Sequence, residues 1–349
     1  MRTRFRALIT FLILAWPATA AAQGYAGLGS TAEGFALPER GTALQFPRDH
    51  SPHPDFRIEW WYLTANLKDE DGDPMGIQWT LFRSALRPGD TEGWASPQIW
   101  MGHAAVTTAT RHTSAERLAR GGTGAAGVTP APFSARIGDW HMTSPDTALQ
   151  NLFLEASGDH FSYSLQLAAQ TPLILQGDRG YSVKYRDGQA SYYYSQPGYR
   201  ATGTVTLDGK ETSVTGKAWL DREWSSQPLS PDQTGWDWFS LRFDTGEKLM
   251  GFVLRGPREG FTSGSLIASD GSTTPLPPGS FTALPQAYSP SGDVPVAWQV
   301  QVPDHGIDVT VRALNPDAWM QHSFTYWEGP VTVHGNRTGS GYLEMTGYR

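Results

Sequence analysis

The sequence predicts an all-β chain divided into two domains, each a barrel or a sandwich. Turn signals recur along it: residues 69–74 (Asp-Glu-Asp-Gly-Asp-Pro), Asp187-Gly188, Asp208-Gly209, Asp244-Thr245-Gly246 and Asp270-Gly271. The runs between them are rich in β-branched and aromatic residues, the signature of short strands joined by hairpins. At roughly 150 residues per domain, the 349 residues hold two domains that can each bury a core.

The elements follow in order. Residues 1–22 read as a cleaved export signal: Arg2, Arg4 and Arg6 precede an apolar run over 7–16, Pro17 breaks it, and Ala20 and Ala22 stand before Gln23. Strands are expected over 59–67, 77–82, 181–185, 203–207, 236–243, 248–254, 297–302 and 307–311. One helix is expected over 113–120, where Thr113 and Glu116 have capping-box spacing and a Gly-rich stretch follows; it would serve as a lid or plug at a barrel mouth. The polar, turn-rich stretch 225–235 marks the boundary, leaving domains over 40–226 and 235–349, and both halves open on a strand with paired tryptophans.

Composition narrows the function. With no Cys, disulfides, thiolate zinc sites and a cysteine nucleophile are excluded. An exported chain without disulfides fits a periplasmic or secreted location in bacteria. The net charge is −7, and losing the three leader arginines leaves 24 basic against 34 acidic residues, a charge of −10. No basic run stands out, so nucleic acid is not an expected partner. There is no phosphate loop, dinucleotide fingerprint or Gly-x-Ser-x-Gly elbow, so no organic cofactor is expected and nothing in the sequence marks an acyl hydrolase. What stands out is the ring content, 14 Trp, 13 Tyr and 15 Phe. Most of these 42 rings are expected to be ordinary packing.

The candidate site starts at residues 219–224. Strand alternation puts Trp219, Asp221 and Glu223 on one face and Leu220, Arg222 and Trp224 on the other. Two carboxylates on an apolar wall would repel each other, and burial would keep one of them protonated near neutral pH, which makes Asp221 a general acid. The competing role is structural: Asp221 and Glu223 would pair with Arg57, Arg83 or Arg242 in a buried network. Tyr192 and Tyr194 alternate to one face, with Tyr193 opposite, and with Trp219 they could shield a carbocation through their ring faces. Glu59 with Trp61, and Trp236 with Trp238, share faces and are assigned to the pocket wall or, for the second pair, to the domain junction. His103 is a candidate polar group of the pocket. His50 and His53 have ligand-like spacing, but no third cluster accompanies them, and no metal site is expected.

Several segments resemble the AttH/CrtC family: 53–62, which contains Glu59-Trp60-Trp61-Tyr62; 116–122; 175–184; 191–197, with its Tyr192-Tyr193-Tyr194 run; 216–226, around Trp219-Leu220-Asp221-Arg222-Glu223-Trp224; 235–241; and 341–348. The resemblance spans the chain after the leader. It implies two lipocalin-like β-barrels in tandem. It also implies either the chemistry of carotenoid 1,2-hydratases or that of the exported "predicted hydrolase" members, with an ABC transporter as an associated system. Arg222 and Glu223 stand where carotenoid hydratases carry His and Asn around the Asp, so the sequence is closer to the secreted AttH-type members, and the expected lipophilic substrate need not be a carotenoid. In that chemistry Asp221 protonates an alkene, Tyr192, Tyr194 and Trp219 shield the cation inside the N-terminal barrel, and water adds. A non-catalytic lipid carrier and a transporter-associated envelope protein remain the alternatives.

Overall fold

The computed structural model describes residues 28, 30, 32–186, 188–257 and 260–348. The expected export signal lies outside the described residues. Nearly all of the regular structure is strand, and the only helical pieces among the described residues are short 3-10 turns such as Arg48–His50.

The first sheet is built from β1 (Ile58–Lys68), β2 (Pro74–Ala85), β3 (Gln98–Thr108), β4 (His112–Arg120), β5 (Ala126–Pro130), β6 (Phe133–Ile137) and β7 (Trp140–Ser144). It continues through β8 (Asn151–Gly158), β9 (Phe161–Ala169), the short β10 (Ile174–Leu175) and β11 (Tyr181–Val183), and the long β12 (Ala190–Leu207) and β13 (Lys210–Ser225). Its order, β4-β3-β2-β1-β13-β12-β9-β8-β7-β6-β5, curls into a nearly closed barrel. The second sheet holds β14 (Gly235–Phe243), β15 (Lys248–Arg255), β16 (Phe261–Ile267), β17 (Thr273–Leu276) and β18 (Thr282–Tyr288). Its remaining strands are β19 (Pro295–Val302), β20 (Ile307–Ala313), β21 (Trp319–Gln321), β22 (Thr325–Gly335) and β23 (Gly339–Thr346). Ordered β17-β16-β15-β14-β23-β22-β20-β19-β18, it forms a half-barrel. The all-β class and the tandem lipocalin-like architecture expected from the sequence are therefore correct.

Alternation along β1 sorts its side chains. Trp61, Leu63, Ala65 and Leu67 enter the first barrel, where Trp79, Leu81, Trp140 and Leu220 pack with them into a dense core. Trp60 and Tyr62 point outward, toward the second sheet, where a separate apolar cluster joins Tyr62, Tyr193 and Trp219 to Trp238, Met250, Phe252 and Tyr342. The two sheets meet along a seam. Asn66 Nδ2 donates to the Gly341 carbonyl at 2.8 Å, and Arg242 donates to Asn66. Gly76 of β2 is needed there, because a Cβ would lie 2.6 Å from Pro330 Cγ and 2.7 Å from the Tyr342 hydroxyl. The connection over 226–234 is part of the packing: Ser226, Leu229, Ser230 and Gln233 are all buried.

The helix expected over 113–120 is not formed; the segment is β4, paired with β3 in the register His103↔Glu116. Local spacing suited a capping box, but Glu116 finds other donors. It accepts from the Ser323 backbone N–H at 3.0 Å and its hydroxyl at 2.8 Å, and lies 3.0 Å from His103 Nε2. Tertiary partners outweigh a local propensity worth a fraction of a kcal/mol per residue.

Candidate active site

Among the described residues the interior of the first barrel is packed by its own side chains, Trp61, Trp79, Trp140 and Leu220 among them, and not around the substrate pocket expected there. The apolar cavity, about 330 Å³, lies instead between the two sheets. Its size falls at the small end of ligand sites. Trp60, Tyr193, Asp221 and Glu223 form the wall from the first sheet, and Trp236, Trp238, Phe252 and Glu344 the wall from the second. Pro228 and Leu229 of the connecting segment close one side, and Leu118, Ile99 and Phe324 another.

The polar floor follows from register. β1, β13 and β12 are adjacent, with Tyr62 opposite Asp221, Ser195 opposite Asp221, and Tyr193 opposite Glu223. Asp221 is 2% exposed and accepts from Tyr193 Oη at 2.8 Å, Trp219 Nε1 at 2.7 Å, and the Ser195 hydroxyl. Gln176 Nε2 supports Ser195 from behind at 2.8 Å. Burial is the largest influence on Asp221 and raises its pKa to about 7, although all three donors pull it down. Glu223 forms an ion pair with Lys184 Nζ at 2.8 Å and accepts from Ser191. Lys184 also sits 3.7 Å above the Phe252 ring, and burial lowers its pKa.

Carboxyls from the second sheet meet this floor. Trp236 Nε1 donates to Glu344 Oε1 at 2.7 Å. Burial raises the Glu344 pKa to about 7, against that indole bond and with the charges of Glu223 and Asp221 adding to the rise. Glu328 faces Glu344 across the β22–β23 ladder and accepts from the Tyr62 hydroxyl; burial, then the Glu344 charge, holds it protonated well above the usual range.

The expected site residues divide. Asp221, Trp219 and Glu223 share one face, with Asp221 and Glu223 lining the cavity. Trp236 and Trp238 are both at the junction and in the wall, since the junction is the pocket. Tyr192 and Tyr194 are on the other face of β12, packed with Trp224, and Tyr194 Oη lies 2.6 Å from His50 Nδ1. Tyr193, between them, is the phenol in the cavity. Glu59 and Trp61 likewise belong to the first barrel's interior, and Trp60 and Tyr62 take the cavity side. Glu59 pairs with Arg83 and Arg222; burial works to raise its pKa, and the two guanidinia hold it well below the usual carboxylate range. A buried arginine network of the kind expected around Asp221 and Glu223 therefore exists, but around Glu59. His103 is fully buried one layer behind the cavity, 2.8 Å from the hydroxyl of the lining residue Tyr326. Burial lowers its pKa to about 4, so it is neutral at pH 7. Sequence reasoning missed Lys184, Tyr193 and Glu344 as pocket residues. The alternation of Tyr342, Glu344 and Thr346 on one face of β23 was the available signal for the last. Among the described residues, no group of three or more His, Asp or Glu is arranged to hold a metal ion.

Comparisons with known proteins agree with this architecture. The AttH-like family model matches residues 37–348. A crystal structure of an AttH-like protein from Nitrosomonas europaea superposes with a TM-score of 0.80 at 32% identity, over 90% of this chain and 99% of that one. Kievitone hydratase from Nectria haematococca shares the fold, with a TM-score of 0.64 at 16% identity over 89% of this chain and 95% of that one. A search of curated proteins gives no match. With the family model covering nearly all of the described residues, the chain belongs to the AttH-like family.

Proposed function

We propose that the protein is a cofactor-free hydratase that adds water to an alkene of a lipophilic substrate held between the two barrels, with Asp221 as the general acid. The observation that carries this reading is a buried carboxyl whose pKa is raised to about 7, set in the wall of a mostly apolar cavity. A general acid works best when its pKa lies near the operating pH. Tyr193, Ser195 and Trp219 fix the carboxyl's orientation, so its proton is presented without reorganisation. Transfer of that proton to one alkene carbon leaves a cation on the other, and the ring faces of Trp60, Tyr193, Trp236 and Phe252 can stabilise it. Water then forms the C–O bond and loses a proton, giving an alcohol heavier than the alkene by one water. The fold shared with kievitone hydratase supports hydration over hydrolysis. The leader-like residues 1–22 support export, and association with an ABC transporter rests on family resemblance alone.

The test is to incubate purified protein with kievitone and with farnesol in H₂¹⁸O and follow the hydrated product by mass spectrometry. Asp221→Asn should lower turnover roughly 10²- to 10⁴-fold while retaining the bound lipophile. Unchanged turnover in that variant removes Asp221 from the chemistry. Tight binding with no turnover in the wild type favours a carrier, the second role that the apolar cavity suits.

A further inference from the structure

Addition of water to an alkene needs a proton donor and, separately, a group that positions the water and removes its proton. Asp221 accepts from three donors, and Glu223 is held by Lys184 and Ser191. Glu344 differs from both. It lines the same cavity, remains partly accessible within it, and among the described residues has one hydrogen bond, from Trp236 to Oε1. Its remaining acceptor capacity makes it a place in a mostly apolar chamber where a water can be held. It also stands on the opposite wall: Asp221 is on β13 of the first sheet and Glu344 on β23 of the second.

We propose that Glu344 is the general base of the hydration, positioning the attacking water and accepting its proton, so that the acid and the base of one reaction come from different barrels. This assignment rests on the hydratase reading above. The balance closes. The Asp221 carboxyl gives its proton to an alkene carbon, the water oxygen bonds to the cationic carbon, and one water hydrogen passes to the Glu344 carboxylate. The product is alkene plus water, and exchange through solvent returns the proton from Glu344 to Asp221. Charged and titratable neighbours suit a group that must change protonation. Asp221 and Glu223 face Glu344 from β13, Glu328 from β22 and Tyr62 from β1, and burial with the nearby negative charge raises its pKa to about 7. Lys184, the one cation in the lining among the described residues, is engaged by Glu223 and leaves Glu344 without a counter-ion that would fix it as an anion.

The experiment separates the two proton steps with farnesol in D₂O, reading hydration and deuterium incorporation into recovered alkene. In Glu344→Gln the amide oxygen still accepts the Trp236 N–H, so the wall is retained. Asp221 continues to protonate the alkene, the cation returns a proton to Asp221, and deuterium enters the recovered farnesol at near the wild-type rate while hydration falls on the order of 100-fold. Asp221→Asn should lose both signals. Glu344→Asp, which withdraws the carboxylate but keeps its charge, should show exchange with partial hydration, and thermal unfolding of each variant checks the fold. A second readout needs no turnover: in ¹³C-carboxyl NMR, Glu344→Gln should remove one resonance that titrates near pH 7 and move the Asp221 midpoint downward. Hydration by Glu344→Gln within about twofold of wild type overturns the base assignment and leaves the hydratase reading standing. Wild-type protein that neither hydrates nor exchanges the alkene overturns the hydratase reading itself.

Discussion

The Tyr193 hydroxyl donates a 2.8 Å hydrogen bond to Asp221 and stands 3.3 Å from Trp238 Nε1, so one phenol links the acid of the first sheet to the wall of the second. Removing it has a defined sign. A donor to a carboxylate favours the ionised form, so Tyr193→Phe should move the Asp221 pKa above about 7. The alkaline limb of the pH–rate profile then shifts upward. The loss of orientation should lower kcat roughly tenfold. A pH–rate profile of both proteins checks this, and a limb that stays in place or shifts downward rules out a direct bond between these groups in the working enzyme.

This same phenol shows what the sequence could and could not disclose. The period of two correctly set Tyr193 against Tyr192 and Tyr194, and Asp221 with Glu223 against Arg222. What it does not encode is which face meets a cavity. That depends on whether the ligand space lies within a barrel or between barrels, and the first barrel is closed by Trp61, Trp79 and Trp140. The face with more rings therefore became core, and the lone Tyr193 met the cavity. Glu344 was hidden for a different reason: its alternation with Tyr342 and Thr346 marks a face of β23 but not a cavity, and its significance arises only when β23 packs beside β1. The segment over 113–120 misled because its capping-box spacing is local, and strand pairing with β3 is not.

Lys184 and Glu223 test whether the floor is held by an ion pair. Both are nearly inaccessible, at 3% and 2% side-chain exposure, and 2.8 Å apart. Lys184→Met alone strands a buried carboxylate and should cost about 3–5 kcal/mol, whereas Lys184→Met with Glu223→Gln should recover most of that loss. Urea unfolding of the two single variants and the double variant closes the cycle. Additive losses would show that the two side chains do not interact.

Gly76 governs the seam. A Cβ added there would lie within 2.9 Å of the Pro330 ring and the Tyr342 hydroxyl, so Gly76→Ala must push β2 away from β22. Overpacking of this kind typically costs about 1–3 kcal/mol. Because the cavity lies along the same junction, ligand affinity should fall together with stability. Binding of farnesol and thermal unfolding, measured on the same samples, give the comparison; a stable variant with undiminished affinity would show that the seam yields without disturbing the cavity.

The stability of the chain should carry the signature of Asp221's proton. Its folded pKa is raised to about 7, against about 3.9 for an unfolded chain. Between those values the unfolded state ionises while the folded state keeps its proton, so this group destabilises the fold progressively as pH rises from about 4 to 7, and the effect is constant above that. Other groups mask the trend. His50, His103 and His112, each lowered to about 4 by burial, favour the fold more as pH rises through the range in which the unfolded histidines lose their protons. The difference between Asp221→Asn and wild type cancels those shared terms. At roughly 1.4 kcal/mol per pH unit, that difference should move in favour of the variant by about 3 kcal/mol between pH 5 and pH 8, as measured by urea unfolding at each pH. A difference that does not change with pH would mean that Asp221 is ionised throughout, with the bonds from Tyr193, Ser195 and Trp219 outweighing burial, and an ionised Asp221 has no proton to give.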